Sequence, residues 1–351
     1  MSGGAWSDSL QTWVGPVTLT KMVDGLDEPW GIGFLLNGDF LVTERNGRLL
    51  YVHDGKAKKV SGVPKVRASG QGGLLDVMIP QDFGTSREIF LTYSKPQKGG
   101  AGTAVAVGRL DESGKRLSNV RTIFELAPGS SGGRHFGSRL VEARDGTLFV
   151  TIGDRGNRPS AQDRSNQNGS IVRINRDGTV PADNPFVGQS DVRPEIWSFG
   201  HRNPQGAGLD LNGNLWVSEH GARGGDEVNR IQKGANYGWP VIAYGKHYSG
   251  GKIGEGTSKA GMEQPVHYWD PSIAPSGLLV YSGKLWPEWK GSIFVGSLKF
   301  DYISRLSATT HSEVEQIKGP ETERVRDVVE APDGSIWFIS VGQGAVFRLS
   351  N

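Results

Sequence analysis

A turn-and-strand element that recurs along the chain limits the possible folds more than any other feature. Asn-Gly or Asp-Gly is followed by a run rich in β-branched, leucine and aromatic residues at 37–43, 145–151, 212–218 and 333–339. Two degenerate copies, at 86–92 and 290–296, bring the count to six. Asn-Gly and Asp-Gly suit the positive φ angles of hairpin turns, and the residues that follow suit a strand.

The distance between copies selects the architecture. The copies lie about 43 to 78 residues apart, which matches the roughly 40 to 50 residues of a four-stranded propeller blade plus insertions. A sandwich or a pair of barrels would show strands about every 8 to 12 residues without this longer period. A βαβ fold would need amphipathic helices, whose pattern is scarce in this chain. We therefore predict an all-β protein, a six-bladed β-propeller of four-stranded antiparallel blades.

The predicted ring sets the domain organisation. We expect residues 1–15 to form an N-terminal extension and residues 16–351 to form a single propeller domain. Either residues 17–19 or residues 346–348 should complete the last blade, because a propeller closes on itself. The longest irregular stretch, about 245–263, should be a loop on one face of the ring.

Composition excludes several classes of function. The chain has 52 glycines in 351 residues, about twice the usual frequency, which fits frequent turns. It has no run of 18 apolar residues, so we expect no membrane insertion. A net charge of +2 gives no reason to expect nucleic acid as a partner. The absence of cysteine removes disulfides, zinc thiolate sites and thiol catalysis.

A histidine and an aspartate have the types and spacing of a catalytic pair. His135 lies in a glycine-rich turn, and Asp154 follows the next Asp-Gly strand, where an adjacent strand end would orient an imidazole. His135 is therefore a candidate general base. The alternative is an ordinary hydrogen-bonding loop histidine.

Basic residues form two further candidate groups. Arg202 and Asn203 precede Pro204 in a rigid turn that either points both side chains into a central channel or braces a loop. Arg324 and Arg326 are two apart, so in a strand they point to the same side and suit a polyanionic ligand. Lys299, at the end of another strand, is a possible third member. A charged strand edge is the other interpretation.

Acidic residues are concentrated in the glycine-rich segment 219–229. Glu219, Asp226 and Glu227 offer oxygen ligands for a hard cation such as calcium, although the spacing is not that of an EF-hand. A solvated acidic loop explains the pattern equally well. Nucleotide-binding glycine motifs and H-E-x-x-H are absent.

Taken together, these segments resemble the soluble quinoprotein sugar dehydrogenases of the glucose/sorbosone dehydrogenase family, and most closely the bacterial PQQ-dependent aldose sugar dehydrogenases. The likeness runs nearly end to end. It rests on the His135 and Asp154 segments and on 28–31 (EPWG), 70–76 (GQGGLLD), 202–206 (RNPQG), 219–221 (EHG), 225–227 (GDE), 236–240 (NYGWP), 297–299 (SLK) and 324–327 (RVRD). The family fold is a six-bladed propeller.

The resemblance implies oxidation of the anomeric C1 hydroxyl of an aldose to a lactone, with hydride transfer to PQQ. In this chain His135 would be the general base and Asp154 would hold its imidazole. Arg202 would polarise the quinone carbonyl that becomes anionic on reduction. Asn203 would also contact the cofactor.

The resemblance also implies the remaining ligands of cofactor, metal and sugar. The PQQ carboxylates would pair with Lys299, Arg324 and Arg326. A calcium ion at the cofactor would use the carbonyls of Gly221 and Ala222, and a second, structural calcium would use the Glu227 carboxylate and the Tyr237 carbonyl. Residues at the mouth that contact sugar or cofactor would be Gln71, Tyr248 and Trp269.

Two residues beside His135 depart from the family pattern. Arg134 and Phe136 stand where the dedicated glucose dehydrogenases carry polar residues that hold sugar hydroxyls. Fewer hydrogen-bond partners should give a broad aldose range and poor discrimination of glucose. Ala222 also replaces a proline, which leaves a backbone carbonyl ligand unaffected.

Two other functions remain open on the sequence. A calcium-dependent, lactonase-like hydrolase would need carboxylates and amides around a metal, which the three cationic residues argue against. A PQQ-free propeller that binds a glycan or a protein is the second, and the intact set of His135, Asp154 and Arg202 argues against it. The family implies a periplasmic or secreted location, although no signal peptide is visible. We expect a monomer or weak dimer, and the electron acceptor is unknown.

Overall fold

The computed structural model describes residues 7–351, which form six antiparallel sheets. Strands of the first three blades are β3–β6 (Pro29–Phe34, Phe40–Glu44, Arg48–His53, Lys56–Val60), β7–β10 (Leu74–Met78, Glu88–Gln97, Gly100–Leu110, Leu117–Glu125) and β11–β14 (Leu140–Glu142, Leu148–Ile152, Ser170–Ile174, Ile196–Phe199). Strands of blades four and five are β15–β18 (Pro204–Leu209, Leu215–Glu219, Asp226–Arg230, His267–Trp269) and β19–β22 (Pro275–Val280, Ile293–Ser297, Ile303–Leu306, Glu313–Ile317).

The sixth blade joins the two ends of the described chain. It contains β23 (Val325–Glu330), β24 (Ile336–Ser340), β25 (Ala345–Ser350), β2 (Gly15–Val23) and β1 (Ser7–Thr12). β2 pairs with β25, with Leu19 opposite Leu349, so both segments expected to complete the blade belong to it. β1 adds a fifth, outermost strand from within the stretch expected to be an extension.

Helix is almost absent. The described residues contain one four-residue α-helix, α1 (Phe83–Ser86), and three 3₁₀ turns (Arg158–Gln162, Pro287–Trp289, Pro320–Thr322). None of these is long and apolar enough to cross a membrane. The predicted all-β, six-bladed propeller is therefore confirmed.

The six copies of the recurring element are the second strands of the six blades. In each blade the turn joins the first strand to the second, as at Gly38, where φ is +84°. In the degenerate copy before β8 a non-glycine residue, Arg87, takes the left-handed conformation with φ of +56°. Hairpin turns of this kind connect neighbouring antiparallel strands, so the repeat predicted from sequence is a repeat of blades.

The hydrophobic core lies between blades. Six main clusters of buried residues occur, one at each blade interface; for example, Leu41 and Leu49 of blade one pack with Leu74 and Ile89 of blade two. Full burial of each such side chain stabilises the fold by about 1.5–3 kcal/mol. Since every cluster contains residues from two blades, neighbouring blades stabilise one another.

The first strands of the blades contact one another around the ring and so line its axis. The hairpin turns lie at one face, and we call the opposite face the upper face. First strands begin at the upper face and second strands end there, because the two are antiparallel. The long connection between β17 and β18, which includes 245–263, also reaches this face at Tyr248.

Candidate functional site

The upper face carries a cavity of about 210 Å³ on the axis, which we call the central cavity. Its lining comes from residues just before or at the start of first strands and from residues just after second strands. Both kinds of residue lie at the upper face, because the first strand of each blade begins there and the antiparallel second strand ends there. The polar lining includes Arg45, Gln71, Asn203, Gln205, His220 and Arg326.

His135 and Asp154 form a buried pair beside this cavity. The His135 Nδ1 atom lies 2.6 Å from Asp154 Oδ1. The second carboxylate oxygen accepts a hydrogen bond from Trp239 Nε1 at 2.8 Å. The backbone N–H of His135 donates to Oε1 of Gln71, which lines the cavity, at 2.7 Å.

The surroundings of this pair keep the imidazole neutral and the carboxylate ionised. Burial lowers the pKa of His135, and the charge of Arg202 adds to this, against the opposing effect of the bond to Asp154. Burial raises the pKa of Asp154, but the hydrogen bonds that its carboxylate accepts from His135, Gly156 and Trp239 give a net lowering. An ionised carboxylate only accepts, so Nδ1 carries the proton and Nε2 keeps a free lone pair.

Arg202 and Asn203 lie next to this pair. The Arg202 carbonyl accepts the N–H of Asp154 at 2.8 Å, and its guanidinium donates to the His220 carbonyl at 3.2 Å. The Tyr248 hydroxyl is 3.5 Å from Arg202 Nη2, and the Tyr248 residue is 68% exposed at the mouth. Asn203 accepts the N–H of Gly137 at 3.2 Å. Four predicted residues, His135, Asp154, Arg202 and Asn203, are thus brought together.

Arg324 and Arg326 both line the central cavity, although only Arg326 lies in a strand and Arg324 immediately precedes β23. Arg326 donates to Gln205 Oε1 at 3.0 Å, and Arg324 donates to the Leu298 carbonyl at 3.2 Å. Burial, followed by the charges of Arg324 and Arg139, lowers the pKa of Arg326 to about 9. Within residues 7–351 neither arginine forms an ion pair with a carboxylate. The cavity therefore holds positive charge suited to an anionic ligand.

Lys299 and Trp269 do not line this cavity. Lys299 is exposed, and its ammonium lies 4.8 Å from the centre of the Phe300 ring. Trp269 is buried between blades four and five, where its Nε1 donates to Glu313 at 3.0 Å. Packing of a large indole against the blade core decided this position, so the expected mouth contact of Trp269 is not made.

The residues flanking His135 have opposite environments. Phe136 is 3% exposed and packs with Trp30 and Leu75 beneath the Arg155 guanidinium. Arg134 is exposed beside the pair. Phe136 offers no hydrogen-bond partner and faces the core, whereas Arg134 remains available at the rim.

A second, smaller cavity of about 20 Å³ brings the four predicted metal ligands together, and we call it the carboxylate cavity. Gly221, Ala222, Glu227 and Tyr237 all line it, together with Glu219. Asp226 points elsewhere and accepts hydrogen bonds from Gly221 N and Ala274 N, so it braces the loops. We expected Gly221 and Ala222 to bind one calcium ion and Glu227 and Tyr237 to bind another. The structure places all four residues around the same cavity.

Two carboxylates face each other there. Glu219 and Glu227 are directly opposite in the pairing of β16 with β17. Asn229 Nδ2 donates to both, at 3.1 Å each, and His201 Nδ1 lies 2.9 Å from Glu219. Burial, with the charge of Glu219, raises the pKa of Glu227 to about 8. In the described chain no three acidic or histidine side chains converge as a metal centre, so a cation would depend on backbone carbonyls as well.

The floor of the central cavity is closed by a salt-bridge cluster, the axial cluster, formed by Asp76, Arg139 and Asp327. Arg139 Nη1 lies 3.0 Å from Asp76 and 3.1 Å from Asp327. Its guanidinium also stacks 4.4 Å from the Trp30 ring, which lines the cavity above. A third cavity, of about 300 Å³, lies on the opposite side of the axial cluster from the central cavity. The central cavity therefore opens only towards the upper face.

Four residues that precede first strands hold the left-handed conformation that disfavours side chains. Their φ angles are +47°, +55°, +53° and +53° at Glu28, His135, Ala274 and Arg324. Each lies in or beside the central cavity. Such strained backbone is common at functional sites, although eight further non-glycine residues of the described chain also have positive φ angles.

Several cavity residues were not predicted from sequence. These are Arg45, Gln205, His220 and Trp30. Burial and the charges of Arg202 and Arg326 lower the pKa of His220 to about 3, so its Nε2–H donates to the Pro275 carbonyl at 2.7 Å and the ring stays neutral. The repeat could have indicated two of these residues. Arg45 and His220 directly follow second strands, close to the position that Asp154 occupies after the second strand of blade three.

Comparison with known proteins gives a consistent result. A family model described as glucose/sorbosone dehydrogenase matches residues 26–348. The chain is 44% identical to the aldose sugar dehydrogenase YliI of Escherichia coli strain K12 over 93% of its length and 91% of that protein.

Solved structures agree with this. The apo form of the soluble aldose sugar dehydrogenase from Escherichia coli superimposes with a TM-score of 0.92 at 43% identity, covering 95% of this chain and 99% of that one. The PQQ-bound form of an aldose sugar dehydrogenase from Streptomyces coelicolor superimposes with a TM-score of 0.80 at 25% identity, covering 99% of each chain.

Proposed function

The chain belongs to the glucose/sorbosone dehydrogenase family, and from that premise we propose that it is a PQQ-dependent aldose sugar dehydrogenase. It oxidises the anomeric C1 hydroxyl of an aldose to a lactone. The observation that carries the proposal is a neutral histidine, paired at 2.6 Å with an ionised aspartate, beside a cavity of unneutralised positive charge. A relative of this chain is named as a PQQ-bound form, which supports the same cofactor.

His135 acts as the general base. Its Nε2 atom takes the proton of the C1 hydroxyl as hydride leaves the same carbon, and Asp154 stabilises the imidazolium that results. Because burial lowers the pKa of His135, the base is unprotonated at neutral pH. Trp239 and Gln71 fix the carboxylate and the His135 backbone, so the lone pair keeps its direction.

The residues present fit PQQ, which when bound supplies the quinone that accepts the hydride. Arg324 and Arg326 offer paired guanidinium groups for its carboxylates. Arg202 and Asn203 lie next to the base, where a donor stabilises a developing oxyanion. Gln71 and Tyr248 stand at the mouth for sugar or cofactor contact.

The carboxylate cavity fits a calcium ion. Glu219 and Glu227 have no lysine or arginine partner in the described part of the chain, and burial, followed by the charge of Glu219, raises the pKa of Glu227. The Glu227 carboxylate and the carbonyls of Gly221, Ala222 and Tyr237 are the oxygen ligands that calcium prefers. We assign calcium a role in shaping the cofactor end of the site.

The rim predicts the substrate range. Phe136 offers no polar group to the sugar and Arg134 is the exposed residue beside the base. We propose that several aldoses are oxidised with weak discrimination of glucose. A periplasmic or secreted location follows from the family, and the electron acceptor is a quinone or an artificial dye.

Titration of the purified apo-protein with PQQ in calcium tests the proposal. Quinone absorption reports binding, and its bleaching by glucose, xylose or a disaccharide reports oxidation. His135→Ala should bind PQQ normally but bleach about a hundredfold or more slowly. The matched control is His53→Ala, since His53 also pairs with an aspartate, Asp39 at 2.8 Å, but on the outer surface.

The outcomes separate the candidate functions. Normal bleaching by His135→Ala would remove the base assignment. Binding without bleaching in the wild type would keep the cofactor and change the substrate. No PQQ binding at all would favour a propeller that only recognises a glycan or a protein.

A further inference from the structure

We infer that Arg45 is a further cofactor-binding residue, whose guanidinium pairs with a carboxylate of the bound polyanion. The inference rests on the proposed function, since it assumes that the central cavity takes a polyanionic quinone. It concerns a residue that lies outside the segments that carry the family resemblance. It also assigns a role to Glu28, the acidic residue in the cavity lining.

Arg45 is held in place by its surroundings. Its Nη1 atom donates to the carbonyls of Gly70 at 2.6 Å and Gly72 at 3.1 Å. Its backbone N–H donates to the Glu28 carbonyl at 3.1 Å, and its carbonyl accepts the N–H of Leu74 at 3.1 Å. A long side chain fixed in this way loses little entropy when it binds a ligand.

The guanidinium nevertheless remains open to the cavity. The Arg45 side chain is 24% exposed and lines the central cavity with Arg324 and Arg326. Three guanidinium groups thus share one cavity whose lining contains one carboxylate. A ligand with several carboxylates balances that charge better than a neutral sugar does.

Glu28 is the acidic partner of Arg45. Its carboxylate pairs with Arg45 Nη2. Glu28 immediately precedes Pro29, and its backbone φ angle is +47°. A residue before proline is strained in the left-handed region. The fold therefore holds Glu28 beside Arg45 in a strained backbone conformation. The Glu28 carboxylate therefore competes with the cofactor carboxylate for the same guanidinium.

Arg45 also replaces Lys299 as the third cation. The Lys299 ammonium is exposed beside the Phe300 ring and outside the cavity lining, whereas the Arg45 guanidinium is inside it. Arginine further offers a planar pair of donors to a carboxylate, which lysine lacks.

The test is titration of apo-protein variants with PQQ at fixed calcium, with quinone absorption as the readout and no sugar present. Arg45→Gln should weaken PQQ binding about 10- to 100-fold, the range for loss of a charged hydrogen-bonded partner. Arg45→Lys should lose less, because it keeps the charge. Glu28→Gln should bind PQQ more tightly than the wild type, because the internal competitor is gone.

The control is Arg121→Gln, which removes a 54%-exposed guanidinium on the outer strand of blade two and should leave PQQ affinity unchanged. Thermal melting of each apo variant shows whether the fold is kept. Unchanged affinity in Arg45→Gln, or a larger loss in Lys299→Gln, would overturn the inference while wild-type binding still supported the proposed function. Failure of the wild type to bind PQQ would overturn the proposed function itself.

Discussion

The axial cluster and the carboxylate cavity both bring two acidic side chains together away from bulk water. In the axial cluster Arg139 lies 3.0 Å and 3.1 Å from Asp76 and Asp327. In the carboxylate cavity Glu219 and Glu227 share the amide of Asn229, at 3.1 Å from each. One pair of acids has a guanidinium between its members, and the other has an uncharged donor.

The charge balance of the two regions follows from this contrast. Burial raises the pKa of Asp76 to about 6, and Arg139 opposes the shift. Burial raises the pKa of Glu227 further, to about 8, and the neighbouring Glu219 adds to the shift. The axial cluster therefore has its cation within the fold and closes the channel, whereas the carboxylate cavity has no lysine or arginine partner in the described residues and is where we propose that calcium binds.

The largest expected effect comes from breaking the complete cluster. Arg139→Met leaves two buried carboxylates without a cationic partner and should lower the free energy of unfolding by about 3–5 kcal/mol. Chemical denaturation at neutral pH measures it. A loss below about 1 kcal/mol would mean that water or Arg326 already compensates these acids.

The next effect should come from adding calcium. At a calcium concentration about 100 times its Kd, the wild type should gain about 2.7 kcal/mol of stability. Glu227→Gln should lose most of that gain, since it removes a carboxylate ligand. Thermal melting with and without a chelator checks both. An equal calcium response in the two proteins would place the cation elsewhere.

A smaller effect is expected from Glu227→Gln without calcium. The variant removes repulsion with Glu219 and should be more stable than the wild type by about 1 kcal/mol at pH 8. In the wild type the pKa of Glu227 rises from 4.5 unfolded to about 8 folded, so the folded state holds an extra proton between these values. Wild-type stability relative to the variant should therefore fall as the pH rises through this window. Denaturation midpoints from pH 4.5 to 8 measure the difference.

The smallest effect is expected from Asp76→Asn. The amide keeps one oxygen acceptor for the Leu140 N–H, which Asp76 accepts at 2.9 Å, and Asp327 still pairs with Arg139. We expect a loss of about 1 kcal/mol or less at pH 5, where the carboxyl is largely protonated. A loss as large as that of Arg139→Met would show that both acids are needed.

Much of the fold could be predicted because its signals are local. Each Asn-Gly or Asp-Gly turn and its apolar strand occupy seven consecutive residues, so counting them counts the blades. The sequence predicted that either residues 17–19 or residues 346–348 complete the last blade. In the structure both segments do so, as the paired strands β2 and β25.

The candidate site was only partly predictable. The types and spacing of His135 and Asp154 suggested a pair. Arg324 and Arg326 both line the central cavity as expected, but Arg324 lies just before β23 in the left-handed conformation, so the alternation of strand residues does not explain their convergence. Gln205 and His220 lie in segments that carry the family resemblance, but those motifs do not show that their side chains line the cavity, and Arg45 lies in no such segment. Trp269 was expected to contact a ligand, but its side chain packs in the core between blades four and five.

The sequence alone determined the strand period, the turns and hence the number of blades, because these depend on contacts within a few residues. Tertiary structure decided which charges meet. Asp76 and Arg139 are separated by 63 positions and meet because blades two and three pack side by side. Glu28 and Arg45 meet across the β3–β4 hairpin, and Glu219 and Glu227 meet across the β16–β17 pair. Whether a buried acid lies beside a guanidinium or beside another acid depends on these strand and blade contacts, which the sequence does not specify residue by residue.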